Sequence, residues 1–472
     1  MWSGVAHPLG ASHAATLLDQ EEAALGAPWR ASPRSAMVGS TSIAPAPQTM
    51  SDRILILMTT STYKAHAFLE ATARLGVSVT VGSDRPQVLS AAHPEENLTV
   101  SFLQPERGAK TILEFARLYP LRAVLATDDD GAILAAAAAE QLGLPHSPVE
   151  AVAAARNKLR TRERLAAAGL RTPRFVDVQV DADLRSIVDR VLFPCVVKPL
   201  FLSASRGVMR ADDLSELEAA LTRLAGILES AAGAAPEPNL ARRALIETFI
   251  PGCEVALEGI LTGGRLKVLA IFDKPDPLDG PYFEETIYVT PSRLQAGTQE
   301  AIAIETQHAV AALGLREGPI HAELRVNKQG PWILEIAPRS IGGLCARTLR
   351  FEEGVTLEEL ILRHALGRDV GAIEREPSAA GVMMIPIPTR GTLRGVAGLE
   401  SAMAAPGVED VRITIPIGQE VVPPPEGAKY LGFIFARATS PAGVEEALRE
   451  AHRSLAFDIA AAAPVTPAEP RA

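Results

Sequence analysis

Cysteine is sparse. Cys195, Cys253 and Cys345 are the three in 472 residues, and they stand far apart with no CxxC pair. That excludes a disulfide scaffold and a cysteine metal site, and all three read as small buried apolar residues. Long apolar runs are lacking too. No uninterrupted stretch approaches the roughly 18 residues of a membrane span, and the alanine run Ala132–Ala139 stops at Glu140. The first residues carry no basic segment followed by an apolar core, so no signal peptide is expected and the location reads as cytoplasmic. Positive charge is in deficit: 46 Lys+Arg against 56 Asp+Glu, net −10. Such a chain repels phosphates on average, so neither nucleic acid nor a membrane is an expected partner, although a local basic pocket is allowed.

Several enzyme signatures are missing. The first apolar run is followed by Thr59-Thr60-Ser61-Thr62 and not by GxGxxG, which disfavours a dinucleotide-binding fold. GxxxxGK[ST], HExxH and GxSxG are absent as well, and with them the simple P-loop, zinc-protease and serine-hydrolase hypotheses. No internal repeat has a fixed period. What remains is ordinary globular composition, 47% hydrophobic and 22% charged, with a length prior of about three domains.

Residues 1–50 are rich in Ala, Ser and Pro and are expected to be a disordered tail, with one short helix over 14–25. A parallel α/β domain is expected over 51–148. It has buried strands at Arg53–Met58, Val77–Val81 and Ala123–Ala126, and helices at Ala65–Leu75 and after Thr127-Asp128-Asp129-Asp130-Gly131. From 149 to 375 the pattern becomes α+β with antiparallel strands. It opens on an Arg-rich helix or helix pair at Glu150–Ala168. A small α+β domain is expected over 376–465.

Four segments concentrate chemistry. They are Asn157-Lys158; Val196-Val197-Lys198-Pro199 with Ser203-Ala204-Ser205-Arg206-Gly207; Ile246-Glu247-Thr248-Phe249-Ile250 through Glu254; and His321-Ala322-Glu323 with Glu335-Ile336-Ala337-Pro338-Arg339 and Gly342-Gly343. Lysine is scarce, so Lys198 inside an apolar strand needs an anionic partner such as a phosphate, or a route to solvent. Ser203–Gly207 is small and polar; its N–H groups could close over phosphates, or it is an ordinary turn. Glu323 and Glu335 would repel if they share a site, unless a hard cation lies between them; the alternative is two unrelated surface carboxylates. His321 falls on the same strand face as Glu323, where it either contacts phosphate or substrate or is structural. The Pro/Gly-rich, aromatic segment Asp273–Thr286 reads as a loop near an acceptor pocket.

In order and spacing these segments resemble the ATP-grasp superfamily over roughly Glu150–Arg368, and the preceding α/β domain resembles that family's usual N-terminal domain. The resemblance implies an ATP-grasp fold flanked by an N-terminal parallel α/β domain and a small C-terminal α+β domain. It implies Lys158 and Lys198 as phosphate-binding lysines. Ser203, Ser205, Arg206 and Gly207 would form a mobile phosphate loop. Glu247, Phe249 and Ile250 would be the adenine hinge, Glu254 the ribose carboxylate, and His321 a contact to phosphate or substrate. Glu323 and Glu335 would ligate Mg²⁺ or Mn²⁺, and Arg339 would hold the acyl phosphate or carboxylate. Gly342 and Gly343 would supply oxyanion N–H groups, or a turn of positive φ, and Arg347 an anion contact or a structural one. Ala337 departs from the pattern, since many members have a metal-binding Asn there. The implied activity is ATP-dependent activation of a carboxylate as an acyl phosphate and its joining to an amine. The segment from Gly381 through Pro416-Ile417-Gly418 to Tyr430-Leu431-Gly432-Phe433 resembles the C-terminal domain of the L-amino-acid ligases, which points to two amino acids. A biotin-carboxylase-like enzyme using bicarbonate and a non-catalytic nucleotide-binding protein are the alternatives. Expected partners are a small-molecule carboxylate and amine; a homodimer is allowed.

Overall fold

The run Arg53-Ile54-Leu55-Ile56-Leu57 forms a strand whose last four residues are buried, as an apolar run without alternation requires. In the computed structural model, which describes residues 52–461 apart from 61, 88, 89, 91, 236 and 237, this strand is β1. The tail expected over 1–50, with its helix, lies outside the described residues. With β2 (Ser78–Ser83), β3 (Asn97–Thr99) and β4 (Ala123–Ala126), β1 makes a parallel sheet of order β3-β2-β1-β4. Helices α1 (Ala65–Leu75) and α2 (Pro105–Leu118) connect strands of this sheet, and α3 (Asp129–Leu142) follows β4. Gly131 lets α3 start close against the sheet: a Cβ there would lie 3.1 Å from Ala126 Cβ and 3.2 Å from Leu57 Cβ. Asp128, Asp129 and Asp130 are thereby presented just past the carboxyl end of β4.

The Arg-rich segment is a helix pair, α4 (Val149–Ala155) and α5 (Lys158–Ala167). Asn157 separates them as an N-cap, its side chain accepting from the N–H groups of Leu159 and Arg160. The cap fixes Lys158 at the first helical position, where its N–H donates to Leu200 O at 3.0 Å.

Next comes an antiparallel sheet of order β5-β8-β6-β7, made of β5 (Phe175–Gln179), β6 (Cys195–Pro199), β7 (Met209–Ala211) and β8 (Arg243–Thr248). Helix α6 (Leu214–Ala231), capped by Asp213, covers it with Leu217, Leu221, Leu224 and Leu228, one helical face at near-helical spacing.

The largest sheet begins with β9 (Cys253–Thr262), β10 (Arg265–Lys274), β11 (Ile287–Thr290), β12 (Gly318–Asn327) and β13 (Gly330–Ala337), with α7 (Ala296–Leu313) and α8 (Leu357–Ala365) between or after them. The chain then forms β14 (Ala379–Ile385), β15 (Gly391–Ala397), α9 (Leu399–Met403), β16 (Val408–Ile413), β17 (Glu420–Val421), β18 (Gly432–Ala438), α10 (Pro441–Arg453) and β19 (Ala456–Ala461). The eight-stranded order is β13-β12-β9-β10-β11-β14-β18-β16, and β17-β15-β19 form a small sheet. The strands after 376 thus extend the central sheet as well as building one of their own. Among the described residues no helix is long and apolar enough to cross a membrane.

Candidate active site

Two clefts meet at the central sheet. One lies between it and the sheet of β5–β8, and is lined by Lys158, Val196, Lys198, Glu247, Phe249 and Leu334 among others. The other lies between the N-terminal sheet, the Ser203–Ala204 loop and the C-terminal strands, and is lined by Asp128, Asp129, Arg339, Gly342 and Gly343 among others. Glu285 and Glu323 line both.

In the first cleft the cations are paired with carboxylates. Lys198 Nζ lies 2.7 Å from Glu247 Oε2, and Lys158 Nζ lies 3.3 Å from Glu335 Oε2. Lys158 also donates to Leu202 O at 2.8 Å. Arg162, which the sequence did not single out, is fully buried and donates to Glu247 Oε1 at 2.6 Å and to Leu334 O at 2.8 Å. Burial pushes the Glu247 carboxyl up, but Arg162 and Lys198 outweigh it and bring it down to about 2. Two guanidiniums lie over the Phe249 ring, with Arg210 Cζ 4.4 Å and Arg325 Cζ 4.8 Å from its centre. Its N–H donates to Pro194 O at 2.9 Å, and Ile250 O accepts from Arg325. Glu254 is committed on both oxygens, to Lys274 at 2.8 Å and to Arg325 at 3.1 Å.

Where the clefts join, Glu323 and Glu335 stand directly opposite one another on β12 and β13. Carboxylate oxygens of Glu254, Glu285 and Glu323 lie within 4.8 Å of one another. The Lys274 ammonium sits among them, bonded to Glu254 and Glu285 and 3.7 Å from Glu323. Burial pushes Lys274 down, yet the three carboxylates hold it well above its ordinary value. Burial pushes Glu323 up, but Lys274 and His321 hold it well below the usual carboxylate range. His321 bridges two glutamates, Nδ1 to Glu258 at 3.1 Å and Nε2 to Glu323 at 3.5 Å. Burial disfavours the imidazolium, but these two carboxylates lift its pKa to about 8. Glu258 is fully buried and also accepts the Ile341 N–H.

In the second cleft Arg339 Nη2 meets Asp129 Oδ2 at 2.9 Å, and Arg156 meets the other oxygen at 3.1 Å. Burial works against the Arg339 charge, but Asp129 keeps it firmly protonated. Behind Arg339, the buried Lys64 donates to Thr127 O at 2.8 Å and to Ser340 O at 3.3 Å. Burial and the nearby Arg339 push its pKa down.

The phosphate-loop candidates are held from outside. Ala204 and Ser205 take left-handed φ of 54° and 53°, unusual for residues with a Cβ. Gly207 N–H donates to Pro425 O at 2.8 Å and Arg206 Nε to Glu426 O at 3.0 Å. Ser203 faces the second cleft and Ser205 the first. Arg206 therefore turns toward the C-terminal segment. Arg347 does likewise: it pairs with Asp410 at 2.8 Å and lies 4.3 Å over Phe435. Asp129, Arg162, Lys274, Glu258, Glu285 and Arg325 are site residues that motif spacing did not identify. Glu258, Lys274 and Arg325 are charges set into apolar strands and Asp129 opens an alanine-rich helix, whereas Arg162 in a charged helix and Glu285 in a loop carry no such signal.

Comparison with known proteins accords with this geometry. Residues 191–348 match the ATP-grasp domain, 69–146 the ATP-grasp N-terminal domain and 383–460 the L-amino acid ligase C-terminal domain 2. The crystal structure of an L-amino acid ligase from Bacillus licheniformis superposes with a TM-score of 0.73 at 27% identity, over 87% of this chain and 99% of that one. Alanine–anticapsin ligase of Bacillus subtilis (strain 168) is 25% identical over 62% of this chain and 64% of its own length. Carnosine synthase 1 of Gallus gallus is 29% identical over 59% of this chain, which spans 31% of that relative. The chain thus carries an ATP-grasp domain preceded by an ATP-grasp N-terminal domain. The C-terminal match and these relatives make the chain similar to amino-acid ligases.

Proposed function

We propose that the protein joins two amino acids, activating the carboxylate of one as an acyl phosphate that the amine of the other then attacks. One observation carries this reading. A lysine-bearing cleft and an arginine-bearing cleft meet at Glu285 and Glu323. A phosphoryl group held by Lys158 and Lys198 would there face a carboxylate held by Arg339. The relatives named for joining amino acids support the amino-acid substrates.

ATP would lie in the first cleft, with its base between Val196, Phe249 and Leu334 and backbone at Glu247–Ile250 reading the adenine edge. Its phosphates would displace Glu335 from Lys158 and Glu247 from Lys198, exchanging one anion for another. The Ser203–Gly207 loop would cover them. The donor set fits a hard divalent cation: Glu323 and Glu335 face each other, and neither is as closely engaged as Glu254 and Glu285. Bound there, Mg²⁺ or Mn²⁺ would neutralise charge on the transferring phosphoryl group. Ala337 leaves the two glutamates and the phosphates to hold it.

The substrate carboxylate, bound by Arg339, attacks the γ-phosphorus and ADP leaves. The amine then attacks the acyl carbon. Gly342 and Gly343 N–H groups would receive the oxyanion, and phosphate leaves as the amide forms. His321 would act through Glu323, keeping its carboxylate oriented. The decisive experiment is phosphate and ADP release with ATP, Mg²⁺ and a matrix of amino-acid pairs. Release dependent on both acid and amine, lost in Lys198→Ala and Glu335→Ala variants that still fold, is the expected result. Full activity in either variant would refute the assignment.

A further inference from the structure

The second cleft has a volume of about 280 Å³ and two chemically different sets of lining residues. One is polar: Glu323, Arg339 and the Gly342–Gly343 turn. The other is aromatic, Tyr63, Tyr430 and Phe433, with the Met384 thioether also in the lining. Tyr63 comes from the turn before α1, whereas Tyr430 and Phe433 come from the strand region of β18. The Tyr63 and Tyr430 ring centres lie 5.9 Å and 6.1 Å from that of Phe433, inclined by 72° and 65°. These edge-to-face contacts form one continuous wall. Phe433 and Met384 belong to the buried core, but Tyr63 and Tyr430 are only half-buried and keep ring surface facing the cavity.

Gly343 joins the two sets. Its φ is +58°, and a Cβ there would come within 3.0 Å of two Phe433 ring atoms. Only glycine lets the turn beside Arg339 rest directly on the aromatic wall. A ligand held by its carboxylate at that turn has its α-substituent one bond further on, within reach of the rings.

Resting on the ligase reading above, we infer that Tyr63, Tyr430 and Phe433 form a side-chain subsite, and that the amino acid it takes carries an aromatic or thioether side chain. Such groups match the wall by edge-to-face and sulfur–aromatic contact. A small side chain would leave the rings without a partner. Acidic and basic side chains would lose water in a cavity whose lining carboxylates Asp129, Asp128 and Glu285 are engaged, Asp129 with Arg156 and Arg339, Asp128 with Thr127 and Lys64, and Glu285 with Lys274 and Tyr288.

Two readouts separate this inference from the reading it rests on. Calorimetric titration with single amino acids, without ATP, tests the subsite; ADP release over amino-acid pairs tests the ligase. L-phenylalanine and L-methionine are expected to bind at least roughly tenfold more tightly than L-alanine, as burial of a large apolar side chain implies. Tyr430→Ala should reduce that preference to below about threefold, and Tyr430→Phe should retain it. Phenylalanine binding no tighter than alanine overturns the subsite even if ADP is released. Tighter lysine or arginine binding, which Asp130 on the cavity rim would favour, overturns it too. Phenylalanine discrimination without ADP release from any pair would leave the subsite standing and refute the ligase reading.

Discussion

Arg339 and Asp129 are bound at 2.9 Å across 210 positions of sequence, which ties the start of α3 to the loop after β13. Asp129 also holds Arg156, so one carboxylate anchors two guanidiniums that are each more than four-fifths buried. Asp129→Asn should therefore release Arg339 from its aim and leave two cations poorly compensated. The expected cost is about 3 kcal/mol in a urea melt, with kcat/KM for the carboxylate substrate falling more than the KM for ATP rises. An Asn variant with unchanged kinetics would show that Asp129 is only structural. Burial raises the Asp129 carboxyl, but Arg156 and Arg339 depress it well below its ordinary value. Its stabilisation is thus fully present above about pH 4 and lost as pH falls below that.

Glu247 makes the same kind of prediction in the other cleft. It neutralises Lys198 and the fully buried Arg162, and its pKa is held down to about 2. A depressed carboxyl stabilises the fold above its unfolded pKa and loses that contribution as pH falls through the folded one, so the window runs from about pH 4.5 down to about 2. Glu247→Gln should cost about 3–5 kcal/mol at pH 7, and the difference from wild type should shrink as melts are repeated toward pH 3. A constant difference across that range would mean that the ion pairs carry none of it.

These two pairs also show what the sequence could and could not reveal. The strands were legible wherever apolar runs were continuous, as at Ile54–Leu57, whereas the Arg-rich segment Glu150–Ala168 could be one helix or two until the Asn157 cap divides it. Glu323, Glu335, Lys158 and Lys198 stood out because each interrupts or borders an apolar element at a spacing the superfamily shares. Helix α7 shows no clear apolar stripe, because apolar residues fall on both faces: Ile302, Val310 and Leu313 are buried while Ile304 is exposed, and the inner face also carries Thr306, satisfied by Ile302 O at 2.8 Å. Asp129, Lys274 and Glu258 were hidden for a different reason. Their roles come from pairing across sheets, and a single chain read in order carries no trace of which charge meets which. Arg206 and Arg347 belong to the same class, since their partners Glu426 and Asp410 lie in the C-terminal part.

Glu323 and Glu335 differ in their engagement, and that gives a test of the metal assignment. Glu323 is held near Lys274 and His321, whereas Glu335 has Lys158 at 3.3 Å. If both ligate a divalent cation in the ATP complex, Glu335→Gln and Glu323→Gln should each weaken Mn²⁺ binding, read by proton relaxation enhancement in the presence of ADP. A loss of about 10-fold or more is expected in each case, the scale at which metal-site substitutions act. Undiminished Mn²⁺ binding in both variants would remove these residues from the metal site.

The C-terminal segment grips the 203–207 loop from behind. Glu426 takes Arg223 through two contacts, 2.6 Å to Nε and 2.9 Å to Nη2, while its backbone oxygen accepts from Arg206 and the neighbouring Pro425 O accepts the Gly207 N–H. Arg223 and Glu426 are 42% and 35% exposed, so solvent screening limits the ion pair to about 0.5–1 kcal/mol. Its leverage lies in position, since it spans α6 and the segment before β18. Glu426→Ala should loosen the closed arrangement of residues 203–207, raising the KM for ATP about two- to fivefold while leaving Tm within about 2 °C of wild type. Arg223→Ala should reproduce the effect, and the double variant should be no worse than either single one, because both remove the same contact. Additive losses in the double variant would mean that the two residues act on ATP binding separately and that the pair is not a latch.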